Sequence, residues 1–244
     1  MRLFIRKILQ KLGYDIVKYN PPYIAGEIDH EHLEMEYNWL KNYNFKTILD
    51  IGANEGQFAD KMLLLFPDAV IYSFEPIPET FVLLQKNFEN VKRLKTINLA
   101  LGDSTGEISF NKNEYTPSSS LLTLSEKHVE SFDYAVKTNP ITVKIDKLDN
   151  VMSSEKLDFP LLIKIDVQGF EDKVIKGGLE IIKKADLILC EVSFAELYKG
   201  QLLFAEIYEM LRDLGYTYAG SIEQLRSPES NRILQADAVF IKAD

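Results

Sequence analysis

One stretch constrains the fold more than any other: "TILDIGANEGQFADKMLLLFPDAVIYSFEPIPETF", Thr47 to Phe81. An apolar run leads into a glycine-containing turn, a helical pattern follows, and a second apolar run closes the unit. Strands that are apolar on both faces and alternate with helices belong in a parallel sheet covered on both sides. Both runs stop at a carboxylate, Asp50 and Glu75. Ligands of such sheets bind at the carboxyl ends of the strands, where these two residues stand.

The rhythm continues along the chain. Phe58, Met62, Leu65 and Phe66 keep helical spacing after the first strand. "AVIYSF" precedes a helix with Phe81, Leu84 and Phe88, and "LKTINLAL" is expected as a third strand ending near Gly102. "GEISF" and "ITVKI" alternate apolar and polar, as half-exposed strands do. Between them lies a polar segment long enough to be a loop or lid over a site. "PLLIKIDV", a helix from about Glu171, "DLILCEVSF" and a helix with Phe204, Ile207, Leu211 and Leu214 restore the parallel pattern. "YTYAGSI" and "ADAVFIKA" are expected as two last strands. Ahead of all this, residues 1–45 read as a helical cap, with Leu33, Tyr37 and Leu40 on one helix, and residues 46–244 as the main domain.

Composition narrows the function. With 28 basic and 37 acidic residues the chain carries −9, the wrong sign for a nucleic-acid backbone. Cys190 is the single cysteine, so no disulfide or Cys-rich metal site can form. It reads as a core residue in a reducing, cytoplasmic compartment. No run is long enough to span a bilayer. Residues 1–12 place Ile5, Ile8, Leu9 and Leu12 among Arg2, Arg6, Lys7 and Lys11. That basic amphipathic pattern packs on its own domain or partner, or makes weak contact with a membrane surface.

"DIGANEG" places Gly52, Ala53, Asn54 and Gly56 where the chain leaves a strand and enters a helix. Glycine there lets a ligand approach the main chain, and a helix start offers N–H groups to an anion. Glu75, 23 residues after Gly52, stands where a carboxylate accepts hydrogen bonds from ribose hydroxyls. Asn54 and Gln57 occupy the second and third glycine positions of the dinucleotide fingerprint, and Glu55 would repel a pyrophosphate. A nucleoside without phosphates, carrying its own carboxylate and a cationic centre, suits the turn better. S-adenosylmethionine is such a ligand. Two rivals remain: an oxidoreductase using a nicotinamide dinucleotide, and a binding module of the same fold without chemistry.

A further block, "LLIKIDVQGFEDKVIKGG", brings a strand to Asp166, with Gly169 and Glu171 as a helix opens. With "DIGANEGQF", "YSFEPIPETFVLLQKNF", "INLALGD", "SSSLL" and "GFEDKVIKGG" in this order, the chain resembles an FkbM-family methyltransferase from about Ile48 to Ala219. The resemblance implies an α/β class I methyltransferase (Rossmann-like) fold. Its mostly parallel seven-stranded sheet has an antiparallel last strand and helices on both faces. It also implies S-adenosylmethionine-dependent methyl transfer to a hydroxyl of a sugar, glycan or related natural product. Asp50, Gly52, Ala53, Asn54 and Gly56 would then surround the methionine end of the cofactor. Glu75 and Pro76 would hold the ribose, Ala100 or Leu101 would line the adenine, and Asp166 would sit beside the transferred methyl. Gln168 departs from the family pattern, which often has a glutamate there.

The acceptor hydroxyl must lose its proton. Asp166 is the leading candidate for the base, or else orients the cofactor or caps the next helix. Glu171 reads as a first-turn helix acid, and Glu191 as a further candidate on the acceptor side. His30 and His32 form a His-x-His pair of the kind that ligates metal but read more simply as solvated, and His128 is a loop residue that would reach the acceptor if its loop closes as a lid. No metal is required by any of these patterns, although Asp166 and Glu191 stand where related folds hold a cation.

Overall fold

The computed structural model describes residues 23–113 and 138–243. The basic pattern of residues 1–12, the "PSSSLL" segment and His128 lie outside the described residues.

The seven-stranded sheet is built of β1 (Thr47–Ile51), β2 (Val70–Phe74), β3 (Leu94–Ile97), β7 (Leu161–Ile165), β8 (Leu187–Ser193), β9 (Tyr216–Arg226) and β10 (Ile233–Lys242), in the order β3-β2-β1-β7-β8-β10-β9. The pairs β3-β2, β2-β1, β1-β7 and β7-β8 are parallel, and β10 runs antiparallel to both of its neighbours. A crossover from β3 to β7 reverses the direction of winding beside β1, so the switch point, where such sheets take their ligands, falls at the carboxyl ends of β1 and β7. A second sheet, ordered β4-β6-β5, holds β4 (Ala100–Leu101), β5 (Gly106–Asn113) and β6 (Thr138–Asp146).

The helices are α1 (His30–Glu36), α2 (Gln57–Leu65), α3 (Pro78–Asn87), α4 (Leu148–Met152), α5 (Glu171–Gly177), α6 (Leu179–Ile182) and α7 (Phe204–Asp213). Pro78 opens α3 at a position where a missing N–H costs nothing. In α7, Glu206 turns back to accept from the Leu203 N–H at 3.1 Å, satisfying a donor at the helix start.

Two expectations need correction. "LKTINLAL" is not one strand: Leu94–Ile97 ends at the edge of the main sheet, and Ala100–Leu101 joins the small one. A tight turn, Leu99 N–H to Ile97 carbonyl at 3.1 Å, separates them. The helix over Leu33, Tyr37 and Leu40 likewise breaks at Tyr37, whose φ of −122° leaves the helical range, and resumes as a 3-10 turn over Asn38–Tyr43.

Each face of the sheet has its own core. On one, Leu49, Ile51, Ile163, Ile165, Ile188 and Cys190 pack under Val174, Ile207 and Leu211. On the other, Ile48, Ile71, Leu162, Leu189 and Val239 pack under Phe58, Met62 and Leu84, with Leu33, Tyr37, Leu40 and Phe45 from the segment before β1. Side chains repeat every two residues along a strand. Following that second face to the carboxyl edge, Ile71, Ile48, Leu162, Leu189 and Val239 give way to Ser73, Asp50, Lys164, Glu191 and Asp237. Strand register sets Asp50 beside both Ser73 and Lys164, and Asp237 beside Glu191. One face therefore turns from apolar to polar toward the carboxyl edge on all five strands, one step later on β8 and β10, where Leu189 still stands opposite Lys164.

Candidate active site

The turn after β1 is tied to the end of β2: Gly52 and Ala53 both donate to the Phe74 carbonyl, at 3.0 and 2.9 Å. Gly52 has φ +86° and Gly56 φ +103°, where residues with a Cβ are strained. Each is glycine for a further, local reason. A Cβ on Gly52 would lie 1.8 Å from the Asp166 carbonyl oxygen, and one on Gly56 would lie 2.3 Å from Phe88 Cε2. Gly52 lets the ends of β1 and β7 close together, and Gly56 lets α2 start against α3.

Asp50 is wholly buried at the end of β1. Ser73 Oγ donates to its Oδ2 at 3.3 Å, and Lys164 Nζ stands 4.0 Å from Oδ1. Burial pushes its carboxyl up to about 6; Lys164 opposes this and Asp166 adds to it. Asn54 (φ +51°) donates its N–H to Glu75 Oε2 at 2.9 Å. The Ile77 N–H holds the other Glu75 oxygen at 2.8 Å. Burial raises the Glu75 carboxyl to about 7 despite these two bonds. Asn98, which the sequence did not single out, locks the following loop by donating to the Glu75 and Pro76 carbonyls at 2.8 and 3.0 Å.

Among the described residues, four buried polar side-chain atoms have no hydrogen-bond partner, and two of them are Asp50 Oδ1 and Asn54 Oδ1. Buried polar atoms are nearly always partnered. Two orphaned acceptors within one turn, at the crevice between β1 and β7, mark a place for a donor or cation from outside the chain.

Asp166 follows β7 directly, anchored by its N–H to the Ile51 carbonyl at 3.0 Å. Both of its carboxylate oxygens are engaged: Lys164 Nζ lies 3.0 Å from Oδ2, and Gln168 Nε2 2.8 Å from Oδ1. Lys164 is buried, and burial alone would lower its pKa. Asp166, Asp50 and Asp237 outweigh that and raise it, so the ammonium stays charged. Phe58 covers it, with the ring centre 5.5 Å from Nζ. Glu171 is turned inward and accepts from the Val167 and Gly169 N–H groups at 3.1 Å each, closing the loop that opens α5. Glu191, half-buried at the end of β8, accepts from Gln168 at 2.9 Å and Gln235 at 3.0 Å.

The structure thus gathers Asp50, Gly52, Ala53, Asn54, Glu75 and Asp166 into one site, with Gly56 at the start of α2 and Pro76 just beyond Glu75. Ala100 and Leu101 are buried on opposite sides of β4, Ala100 against Ile77 and Phe170 and Leu101 in the first core. His32 faces Glu223 at 3.3 Å. No group of three or more His, Cys, Asp or Glu side chains suited to a metal occurs among the described residues. Sequence reasoning missed Lys164, Asp237, Gln235 and Tyr198. The signal for the first two was present: each is a charge inside an otherwise apolar strand, and buried charges are rare unless paired.

The profile of the Methyltransferase FkbM domain matches residues 50–218. The 2-O-methyltransferase NoeI of Sinorhizobium fredii is 34% identical over 171 residues, 68% of this chain and 70% of that protein. The hexuronic acid methyltransferase AglP of Haloferax volcanii is 25% identical over 175 residues, 68% of this chain and 67% of that one. The crystal structure of Methyltransferase FkbM from Methylobacillus flagellatus superposes with a TM-score of 0.49 at 14% identity, covering 81% of this chain and 44% of that one. The domain match begins at Asp50, takes in Glu75 and Asp166 and extends over most of the chain, and with that the chain belongs to the FkbM family of methyltransferases.

Proposed function

We propose that the enzyme transfers a methyl group from S-adenosylmethionine to a hydroxyl of a sugar or glycan. The observation that carries the cofactor half is the pair of orphaned acceptors, Asp50 Oδ1 and Asn54 Oδ1. They suit the ammonium and the positive sulfur centre of the methionine end. The turn of Gly52, Ala53, Asn54 and Gly56 takes that end of the ligand. Glu75 has its carboxylate fixed by two backbone N–H groups, which leaves lone pairs for two ribose hydroxyls, with Pro76 alongside. Ala100, packed against Ile77 and Phe170, supplies the apolar floor for the adenine, while Leu101 turns into the core behind it, and Asp166 stands beside the reacting centre. When bound, the cofactor supplies a methyl group already activated by its positive sulfur.

This chain's own residues do the rest. Lys164 balances Asp50 and Asp166, and keeps both carboxylates in place before the ligand arrives. The polar line at the sheet edge aligns the acceptor, which is the main contribution a protein makes to a displacement of this kind. The sugar hydroxyl as acceptor rests on the two relatives, one a 2-O-methyltransferase and one a hexuronic acid methyltransferase. We place the reaction in the cytoplasm, in keeping with a lone, buried Cys190. No helix among the described residues is long and apolar enough to cross a membrane.

Calorimetric titration with S-adenosylhomocysteine, with NAD as the control, tests the reading. The expected result is micromolar binding of the former that Glu75→Ala loses. Preference for NAD, or no binding by the wild type, would overturn it.

A further inference from the structure

Gln168 has a left-handed backbone, φ +56°, which holds its side chain back over the end of β7. Its amide orientation is fixed by chemistry. Tyr198 Oη donates to the carbonyl oxygen Oε1 at 2.6 Å, so the NH₂ group faces the carboxylates. That one nitrogen reaches two of them: Asp166 Oδ1 at 2.8 Å and Glu191 Oε2 at 2.9 Å. An amide nitrogen has two hydrogens, one for each. A glutamate at this position would bring a further carboxylate against both.

The two bridged carboxylates differ in what they have left. Asp166 has a donor on each oxygen, Lys164 on one and Gln168 on the other. Glu191 has both of its donors, Gln168 and Gln235, on Oε2. Its Oε1 takes no hydrogen bond among the described residues and is not one of their buried orphans, so solvent or a ligand can reach it. Gln235 is itself buried, which keeps Glu191 from swinging away.

We propose that Glu191 accepts the proton of the acceptor hydroxyl on Oε1, and that Gln168 is the positioning residue that sets it beside Asp166. The inference rests on the methyltransferase reading and names its proton acceptor. As the acceptor oxygen bonds to the methyl carbon, its O–H bond breaks and the proton moves to Glu191. The carbon–sulfur bond breaks with its electron pair left on sulfur, and Glu191 later releases the proton to solvent. Asp166 is thereby an orienting group, held by Lys164. The surroundings of Glu191 support the assignment. Burial first, then Asp166 from β7, Glu171 from α5 and Asp237 from β10, raise its carboxyl well above the usual range, with Lys164 only partly opposing. A carboxylate so placed is a stronger base than one in water.

Two measurements on the full chain test this. In the first, the protein is labelled with carbon-13 at the glutamate carboxyls, and Glu191 is assigned by its loss in Glu191→Gln. Its resonance should titrate well above the ordinary glutamate range, and higher still in Gln168→Glu. Titration in the ordinary range, or no response to Gln168→Glu, would overturn the proposal. In the second, methyl-labelled S-adenosylmethionine is supplied with a panel of free monosaccharides and their methyl glycosides. For the sugar methylated fastest, Glu191→Gln should lower kcat by about 100-fold or more while S-adenosylhomocysteine affinity stays within a few-fold. Near-normal kcat in that variant would overturn it. If no sugar in the panel is methylated, the titration decides alone. A wild type that fails to bind S-adenosylhomocysteine would instead sink the methyltransferase reading, which the titration does not touch.

Discussion

The Lys164 ammonium lies 3.0 Å from the Asp166 carboxylate, two residues further along the chain and on the same face of the sheet. A strand repeats its facing every two residues, so the pair is dictated locally once "KID" becomes the end of a strand. Register then adds Asp50, opposite Lys164 on β1. One buried cation serves carboxylates from two strands, and the crevice between those strands is where the sheet changes its direction of winding.

Replacing Lys164 by Met keeps an unbranched apolar stem and removes the charged tip. The wholly buried Asp50 and the half-buried Asp166 are then left uncompensated, a change that costs about 3–5 kcal/mol for a broken buried pair. Urea unfolding at neutral pH should show a loss of that size, together with weakened S-adenosylhomocysteine binding. A midpoint within experimental error of the wild type would show that the ammonium is not what holds the two carboxylates.

Gly52→Ala and Gly56→Ala should part company. At Gly52 the new methyl meets a backbone carbonyl at 1.8 Å, and the chain after β7 cannot yield without parting the ends of β1 and β7, which the Asp166 N–H to Ile51 carbonyl bond holds together. At Gly56 it meets the ends of Phe88 and Leu84, side chains that can shift. Both substitutions carry left-handed strain of about 1–3 kcal/mol. Gly52→Ala is expected to lose S-adenosylhomocysteine binding as well, and Gly56→Ala to keep most of it. Thermal melts with and without the ligand separate the two; equal ligand-induced shifts would refute the distinction.

The strand–helix rhythm made the sheet legible from Thr47 onward, because apolar runs of strand length between helical patterns have few other solutions. Asp50, Glu75 and Asp166 were legible for the same reason, as polar residues ending buried runs. What escaped was set by pairing across strands. Nothing in "LLIKIDV" says that Lys164 will stand opposite Asp50, and nothing in "QADAV" says that Gln235 and Asp237 will flank Glu191 from an antiparallel neighbour. The break at Asn98 escaped too, since its cause is a side chain reaching the carbonyls of a distant loop. The glycines were found for one reason and are needed for a second, close backbone and ring contacts that spacing does not reveal.

The buried carboxylates set a pH dependence. Asp50 is raised from 3.8 to about 6, and Glu75 from 4.5 to about 7, burial being the first cause in each. The folded state holds protons that the unfolded chain has already released, so stability falls as pH rises through this window. For Glu75 the shift corresponds to roughly 3 kcal/mol, lost between about pH 4.5 and 7.5. The urea midpoint of the ligand-free protein should therefore be lower at pH 8 than at pH 5.5. Glu75→Gln should be less stable at pH 5.5, where one backbone N–H loses its acceptor, yet show a shallower slope. A midpoint that climbs from pH 5.5 to 8 in the wild type would contradict the account.

Glu223 offers the opposite sign at a place away from the crevice. Its Oε1 accepts from Lys61 of α2 at 2.8 Å, from His32 of α1 at 3.3 Å and from the Tyr37 hydroxyl. Burial opposes the charge, but Lys61 and the hydrogen bonds outweigh it and hold the carboxyl down to about 2. Its contribution is thus full above the ordinary value near 4.5 and fades as pH falls towards 2. Tyr37 is buried, and Glu223→Ala leaves its hydroxyl without an acceptor at a cost of about 1–3 kcal/mol. Because the bonds run from β9 to α1 and α2, the loss should loosen the segment before β1 first. Limited proteolysis at pH 7.5 is expected to cut Glu223→Ala within residues 23–45 faster than the wild type, with S-adenosylhomocysteine affinity unchanged. Glu223→Gln, which keeps an acceptor, should fall between them. Equal cutting rates in all three proteins would mean that Phe45, Leu40 and Leu33 hold the segment by burial alone.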